Sequence, residues 1–188
     1  MDTMVIGRLV LTKPKDYIYE IEEFCKKAYE ESNDENMSVN YDNNSSSLMR
    51  HVKNGSIPMI TAVLHNENMI SLSGVQKYSD DVCILGKRFY TLKKYRKSPM
   101  GKPNNFFQDF MYEPQLTWAV NYNFKIALIT FNQHNKRLIP VLEREQKKGR
   151  SFKGFKKLYK TLNINKTEQY VFYKKLDENY DVENITIR

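Results

Sequence analysis

Hydrophobic positions in the first half of the chain follow first a strand pattern and then a helix pattern. Residues 5–11 are mostly β-branched or apolar and predict a strand. After Pro14, apolar side chains recur at helical spacing opposite Glu and Lys side chains, which predicts an amphipathic helix. The polar residues 32–47 predict a mobile loop, and residues 48–52 predict a short helix closed by Gly55.

Three further segments predict an antiparallel meander. Residues 59–64 and 69–78 flank a polar turn, residues 65–68, whose asparagines tolerate positive φ. Residues 82–92 follow a second polar turn and predict the third strand.

The second half of the chain begins with a basic loop, residues 95–103, that contains two prolines and one glycine. A helical segment follows up to Asn123, and Pro114 should kink or interrupt it. Residues 125–131 form a continuous apolar run, the pattern of a strand buried on both faces. The remaining predicted elements are a helix over residues 134–148, a closing hairpin over residues 152–162 and 167–176, and a tail over residues 178–188.

This pattern predicts one α/β domain over residues 1–177, with elements in the order β-α-α-β-β-β-α-β-α-β-β. A strand, loop, helix and second strand in succession require a crossover. The strand that ends near Leu92 and the strand that begins at Lys125 should therefore be parallel neighbours. The loop after the first of these strands meets a helix N-terminus, and anions bind at such junctions in α/β folds.

Composition excludes several classes of protein. The chain has 188 residues, of which 40% are hydrophobic and 13% aromatic, as in one globular domain with a sizeable core. Its best apolar run, residues 126–131, is far shorter than a membrane span, and the N-terminal residues lack a secretory signal pattern. Two cysteines cannot form a disulfide framework, and three scattered histidines offer no metal-ligand spacing. We therefore expect a cytoplasmic protein with no metal and no membrane contact.

The net charge of +8 is unevenly distributed. Residues 87–102 contain seven bases and no acid, and residues 144–175 contain eleven bases and two acids. This asymmetry indicates an anionic partner: nucleic acid, a membrane surface or a phosphorylated small molecule. Residues 147–160 interleave bases with aromatics, as in a surface that binds single-stranded nucleic acid. The same alternation also occurs in a strand with aromatics inward and lysines outward, so both interpretations stay open.

The basic loop carries a specific motif. Amides at the start of a helix attract a pyrophosphate, and Arg96, Lys97 and Lys102 add charge-assisted contacts. The element order and this loop resemble the GCN5-related N-acetyltransferases (GNATs), whose loop follows the pattern Arg/Gln-x-x-Gly-x-Gly/Ala. Here Arg96-Lys97-Ser98-Pro99-Met100-Gly101 matches the first and last positions, and Pro99 replaces the inner glycine. The resemblance implies a mixed, mostly antiparallel sheet of about six or seven strands flanked by helices.

A second motif follows the buried apolar strand. GNATs have Asn-x-x-Ala-x-x-x-Tyr at this place, with the Asn beside the cofactor and the Tyr often acting as general acid. In this chain Asn135 aligns with the Asn, Leu138 with the Ala and Leu142 with the Tyr. Asn135 is also an ordinary helix-capping residue. The resemblance implies acetyl-CoA as cofactor. The implied contacts are Tyr90, Leu92, Arg96, Lys97, Ser98, Met100, Gly101, Lys102 and Asn135.

The resemblance implies transfer of an acetyl group from CoA to an amine by direct attack in a ternary complex. The acceptor would be an amine-bearing small molecule or protein, bound between the first helices, residues 32–47 and the closing hairpin. The strand over residues 82–92 lacks the carboxylate that often serves as base in this family. The catalytic assignment therefore stays open, and the candidates are His134, Tyr173 and Asp81. Two other functions also stay open: nucleic-acid binding, and CoA binding without catalysis. A monomer or a homodimer is expected.

Overall fold

The computed structural model describes residues 6–40, 42–96, 106–132, 140, 143–144, 147, 154–157, 162–164 and 167–185. Within these residues, eight strands form one sheet in the order β1-β2-β3-β4-β5-β8-β6, and β7 pairs with β8 beside this path. The strands are β1 (Ile6–Leu11), β2 (Met59–His65), β3 (Asn68–Lys77), β4 (Val82–Thr91), β5 (Ile126–Asn132), β6 (Lys156–Lys157), β7 (Leu162–Ile164) and β8 (Thr167–Lys175). The helices are α1 (Ile18–Ser32), α2 (Leu48–Asn54), α3 (Lys93–Arg96) and α4 (Phe106–Asn121). The predicted α/β class and mostly antiparallel sheet are confirmed.

Helices α1 and α2 cover one face of β1–β4 with a shared core. The predicted apolar face of α1 is confirmed, because Ile21, Phe24, Cys25 and Ala28 are all buried. A 3-10 turn, Pro14–Tyr17, precedes the helix. These side chains pack with apolar residues of α2 and of the sheet: Leu48, Met49, Val52, Ile60, Ala62, Leu72 and Tyr90.

Apart from residue 41, the segment between α1 and α2 has defined turns where the sequence pattern indicated only a mobile loop. Glu35–Met37 form a 3-10 turn, and the Asp34 carboxylate caps it by accepting a hydrogen bond from the Asn36 amide at 3.0 Å. Met37 is fully buried beside α1. The loop is therefore packed against the helix layer.

The predicted meander is confirmed. β1, β2, β3 and β4 are successive antiparallel neighbours. The turn between β2 and β3 is tighter than the predicted four residues, since His65 and Asn68 already pair. Asn66 and Glu67 both have positive φ, 47° and 67°, which is the geometry of a type I′ hairpin turn.

The crossover from β4 to β5 is also as predicted. The two strands are parallel neighbours, with Val82 opposite Ile126 and Leu85 opposite Ile129. Helix α4 joins them and packs on β2, β3 and β4 from the face opposite α1. Pro114 does not interrupt α4, which runs through it as one helix, and the kink stays a prediction. A proline removes only one helical hydrogen bond, and burial of neighbouring side chains such as Met111 offsets that loss.

The C-terminal part extends the sheet beyond β5. β8 pairs with β5 along the whole length of β5, and β6 and β7 also pair with β8. Residues 178–185, within the stretch expected to be a tail, include a 3-10 turn, Val182–Asn184. Ile185 is 3% exposed and packs with Val82, Ile84 and neighbouring residues of β5 and β8. This segment therefore covers part of the sheet.

Both cysteines are free and buried, Cys25 in α1 and Cys83 in β4. Burial raises the pKa of each thiol to about 12. Among the described residues, no helix has the length and apolar composition needed to cross a membrane. The same residues contain no group of three or more His, Cys, Asp or Glu side chains placed to hold a metal ion.

Candidate functional site

The sheet splits between β4 and β5. Their pairing covers only four residues of each strand and ends at Leu85 and Ile129. Beyond that point β4 continues to Thr91 beside β3, and β5 continues to Asn132 beside β8. Each strand therefore stays in its own half of the sheet while the two halves separate. The unpaired part of β4 is about 20 Å long at the usual rise of a strand.

Positive backbone angles in β4 coincide with the split. Gly86 has φ of 66° and Arg88 has φ of 55°. The β3–β4 register shifts on either side of Gly74 in the same region. A side chain at Gly86 is excluded, because its Cβ would lie 2.4 Å from the Tyr112 hydroxyl oxygen of α4. Glycine is thus required there both by conformation and by the close approach of α4.

Gln115 of α4 supplies hydrogen-bond partners where the pairing of β3 with β4 is irregular. Its Oε1 accepts a hydrogen bond from the Gly86 amide at 2.9 Å, and its Nε2 donates to the Ser73 hydroxyl at 2.7 Å. The side chain is fully buried. Because a buried amide without a partner is costly, Gln115 makes the bulged strand compatible with a packed interior.

Backbone groups at the end of β4 are directed into the split. The Leu92 amide donates to the Ile70 carbonyl at 3.0 Å, so Tyr90 and Leu92 turn their backbone groups toward β3. Backbone groups alternate in direction along a strand, and those of Phe89 and Thr91 therefore point toward the β5 side. An extended ligand in the split would meet these groups as it would meet a neighbouring strand.

A basic turn closes the end of the split. Helix α3 carries three bases in its four residues, Lys93, Lys94 and Arg96. Arg96 Nε donates to the Thr91 carbonyl at 2.7 Å, and its guanidinium lies over the Tyr90 ring, 4.7 Å from the centroid. These contacts hold the Arg96 guanidinium against the end of β4, next to the start of the predicted pyrophosphate loop.

Glu31, near the end of α1, fixes the same turn from the other side. Its Oε1 accepts hydrogen bonds from the Tyr90 hydroxyl at 3.0 Å and from the Lys93 amide at 2.7 Å. The Lys93 ammonium also donates to the Glu31 carbonyl. The first helix and the end of β4 therefore form one hydrogen-bonded unit.

A second group of bases lies where β4 leaves β5. Lys87 is only 7% exposed, Arg88 is half-buried, and Arg88 Nη2 lies 3.3 Å from Nε2 of His51 in α2. We call these three residues the basic cluster. Burial lowers the pKa of Lys87 to about 8, and the charge of Arg88 adds to the effect. Burial also lowers the pKa of Arg88.

His51 is held as a neutral acceptor in the basic cluster. Its Nδ1 lies 2.6 Å from the Ser56 hydroxyl oxygen, so an Arg88 donor at Nε2 leaves the proton on Nδ1. Burial lowers the pKa of His51 first, and the charges of Arg88, Lys87 and Arg50 lower it further. The imidazole is therefore uncharged at neutral pH.

The structure brings together only some of the residues predicted from the sequence. Tyr90, Leu92 and Arg96 meet at the end of β4, with Tyr90 and Leu92 packed toward the α1 core. Asp81 precedes β4 and is exposed, about 30 Å from Arg96 by strand length. Tyr173 lies on β8 opposite Leu128, in the part of the sheet covered by the C-terminal segment. The other candidates lie outside the described residues: Lys97, Ser98, Met100, Gly101, Lys102, His134 and Asn135.

The basic and aromatic stretch over residues 147–160 is described only in part. Phe155 is 6% exposed and packs in the core with Trp118 and Phe172, so it cannot stack on a base. Lys157 pairs with Glu143 at 2.5 Å and lies over the Tyr170 ring. These residues follow the inward aromatic, outward lysine pattern of a strand.

Sequence reasoning missed Glu31, His51, Lys87 and Arg88. One signal was available for two of them, because Lys87 and Arg88 interrupt a strand that is otherwise apolar. Such bases on a central strand are rarely buried without a reason. Nothing in the sequence linked His51 or Glu31 to them.

No protein-family model matches the sequence, and no curated protein sequence matches it. Solved structures do match the fold. An acetyltransferase of the GNAT family from Staphylococcus aureus Mu50 superposes with a TM-score of 0.55 at 12% identity, covering 92% of this chain and 100% of that one. The chain has the GNAT fold.

Two further GNAT-fold structures agree over nearly the same extent. An acetyltransferase from Streptococcus agalactiae 2603 gives a TM-score of 0.54 at 14% identity, covering 93% of this chain and 99% of that chain. The ribosomal-protein-S18-alanine N-acetyltransferase from Escherichia coli gives a TM-score of 0.51 at 10% identity, covering 98% of this chain and 100% of that chain. These three solved structures are acetyltransferases, and the fold expected from the sequence resemblance is confirmed.

Proposed function

We propose that this protein is an acyl-CoA-dependent N-acyltransferase that transfers an acetyl group from acetyl-CoA to an amine. The split between β4 and β5 carries the proposal. It gives an extended ligand about 20 Å of open strand edge, and the ligand's anionic end would meet the basic turn at α3.

The residues around the split fit an acyl-CoA. The backbone groups of Phe89 and Thr91 suit an amide-containing chain, which pairs with a strand edge as a peptide does. Arg96, Lys93 and Lys94 suit the pyrophosphate, with further contacts expected from residues 97–102. Acetyl-CoA supplies a thioester whose carbonyl carbon is open to attack by an amine.

The chemistry requires an uncharged amine and a position for it. The amine nitrogen forms a bond to the acyl carbon, the carbon–sulfur bond breaks, and the amine proton passes to solvent while the thiolate is protonated. The described residues of β4 beyond Leu85 include no carboxylate that could act as base. Positioning of the amine against the thioester would itself contribute to the rate.

Calorimetry with acetyl-CoA and with CoA tests donor binding. We expect both to bind the wild-type protein, and Arg96→Glu to weaken binding about 10-fold or more because a charge-assisted contact becomes repulsive. Lys77→Glu, an equal charge reversal on the exposed end of β3, is the control and should bind normally. Absence of binding by the wild-type protein at millimolar acetyl-CoA would refute the proposal.

Thiol release across a panel of amines then tests catalysis. Release that depends on both the amine and acetyl-CoA supports the transferase. If acetyl-CoA binds but no amine causes thiol release, the protein binds CoA without catalysis, and the catalytic part of the proposal is wrong.

A further inference from the structure

The basic cluster has an unusual charge balance. Lys87 and Arg88 come from β4 and His51 from α2, and the charge of Arg50, also of α2, acts on His51. Among the described residues, Asp34 is the acid whose charge acts on Arg88 and raises its pKa. Asp34 Oδ1 already accepts hydrogen bonds from the Asn36 amide and side chain at 3.0 and 2.8 Å. The cluster thus has an excess of positive charge.

Donors in the basic cluster are left without acceptors. Within the described part of the chain, Lys87 makes no hydrogen bond or ion pair, and Arg88 Nε is buried without a hydrogen-bond partner. His51 accepts only one of the Arg88 donors. Groups of this kind are normally paired when they are buried, because desolvation of an unpaired cation is costly.

A structural role does not account for this arrangement. Methionine would fill the space of Lys87 at lower cost, and the glycine, tyrosine and glutamine around Gly86 already satisfy the bulge. A buried lysine beside a half-buried arginine that still has an unpartnered donor, at an opening in a sheet, is typical of a ligand site.

We propose that Lys87 and Arg88 bind a carboxylate or phosphate group of the acceptor amine. The term acceptor rests on the proposed transferase function, whereas the anion site rests on the basic cluster alone. A bound oxyanion would accept hydrogen bonds from the Lys87 ammonium and from the free N–H groups of Arg88. It would also supply the negative charge that the basic cluster lacks. His51 positions the Arg88 guanidinium by accepting one of its hydrogen bonds.

The location suits an acceptor that carries an amine and an anion. Lys87 and Arg88 begin two residues after the last β4–β5 pair, at the mouth of the split. Arg88 contacts His51 of α2 and is within reach of the Asp34 charge, on the side where the acceptor was expected from the sequence. An anion held there would leave the amine end of a small molecule free to reach the split.

Anion binding should depend on pH through Lys87. Lys87 is charged below pH about 8 and loses its proton above it. His51, whose pKa is lowered by burial, adds no charge at pH 7, while the Arg88 guanidinium stays charged. The affinity for an anion should therefore fall as pH rises through about 8.

Direct binding can be measured without catalysis. We would titrate the wild-type protein with inorganic phosphate and, separately, with acetate in a constant chloride background, following the His51 ring nitrogens by NMR. The chain has three histidines, and His51→Gln assigns the signal. We expect the His51 signal to shift with at least one anion, and Lys87→Met to weaken that response about 10-fold or more. Lys77→Met removes an exposed lysine of β3 and should leave the response unchanged.

Matched acceptors test the site during turnover and separate the two anion classes. Comparing kcat/KM for tyrosine with that for tyramine, which lacks the carboxylate, tests recognition of a carboxylate. Comparing phosphoethanolamine with ethanolamine, which lacks the phosphate, tests recognition of a phosphate. Lys87→Met should lower kcat/KM about 10- to 100-fold for the acceptor that carries the preferred carboxylate or phosphate and leave its partner that lacks this group unchanged. Arg88→Gln should act in the same direction, and the melting temperature confirms that each variant is folded.

The outcomes distinguish this inference from the proposed function. If acetyl-CoA binds but neither anion shifts His51 in a Lys87-dependent way, the anion site is wrong and the transferase proposal stands. If an anion shifts His51 through Lys87 but acetyl-CoA does not bind, the site stands and the transferase proposal falls. Equal loss of kcat/KM in Lys87→Met for acceptors with and without the anionic group would also contradict the anion site.

Discussion

Glu31 joins two parts of the chain that are distant in sequence. One carboxylate oxygen accepts hydrogen bonds from Tyr90, 59 residues away, and from the Lys93 amide, 62 residues away. The amide would otherwise be an unsatisfied donor at the start of α3. The position of Arg96 thus depends on a residue of the first helix.

Replacement of Glu31 should affect stability and donor binding together. We expect Glu31→Ala to lower the free energy of unfolding by about 1–2 kcal/mol, because it removes an acceptor shared by two donors. Acetyl-CoA affinity should fall several-fold as the basic turn loosens. Urea unfolding and calorimetry measure the two effects. Glu30→Ala, an exposed neighbour on the same helix, is the control. Unchanged stability in Glu31→Ala would show that these hydrogen bonds contribute little.

Lys87 lowers stability in a way that depends on pH. Its pKa is about 8 in the folded protein, against 10.5 for an ordinary exposed lysine. The unfolded chain therefore binds more protons between these values, and stability rises with pH across this window. We expect Lys87→Met to be more stable than wild type at pH 7 by about 1–3 kcal/mol. That difference should shrink as pH rises from about 8 toward the pKa of the unfolded chain, as measured by urea unfolding. A less stable variant would mean that the lysine has a partner.

At the scale of elements, the split in the sheet depends on a local change in β4. The strand needs a left-handed residue at Gly86, a close approach of α4 and the Gln115 amide to satisfy the bulge. Removal of any of these should let β4 tend toward a regular strand, which would turn the basic cluster and the end of β4 away from their present positions.

Alanine at Gly86 tests this requirement. We expect Gly86→Ala to lower the free energy of unfolding by about 2 kcal/mol or more, since a Cβ is strained at φ of 66° and lies 2.4 Å from Tyr112. Gly7→Ala is the control, because its Cβ would meet Leu64 at 3.7 Å, an ordinary contact. Differential scanning calorimetry compares the melting temperatures of the two variants. Equal melting temperatures would mean that β4 accommodates a side chain at this bulge.

Much of the element order was predictable, but the geometry of the site was not. Alternation and turn residues are local signals, so they predicted β2, β3 and β4 and the parallel β4–β5 pair. The split depends on Gln115, which lies 29 residues from Gly86 in sequence. The basic cluster depends on His51, which lies 37 residues from Arg88. Such contacts between distant residues follow from packing, and no local pattern contains them.

At the scale of the molecule, the two halves of the sheet share one core cluster with α4, and each half also has a cluster of its own. β1–β4 pack under α1 and α2, whereas β5 and β8 join the start of β4 in a cluster covered by the C-terminal segment. Only four residue pairs link the halves through the ladder. The C-terminal segment should therefore stabilise the junction more than a tail would.

Truncation of Ile185 measures that contribution. We expect Ile185→Ala to lower the free energy of unfolding by about 2–4 kcal/mol, because the side chain is 3% exposed against Val82, Ile84 and Val171. Val120→Ala on the exposed face of α4 should change it by less than about 0.5 kcal/mol. Urea titration gives both values. A neutral Ile185→Ala would mean that the segment does not hold the two halves together.

The buried cysteines have a practical consequence for kinetics. Cys25 and Cys83 are inaccessible, and their raised pKa leaves almost no thiolate in the folded protein. A thiol reagent added to a turnover reaction will therefore detect released CoA with little background from the enzyme. In the absence of acetyl-CoA, slow labelling of the same two sulfurs reports how often the domain opens, so one reagent measures both turnover and unfolding.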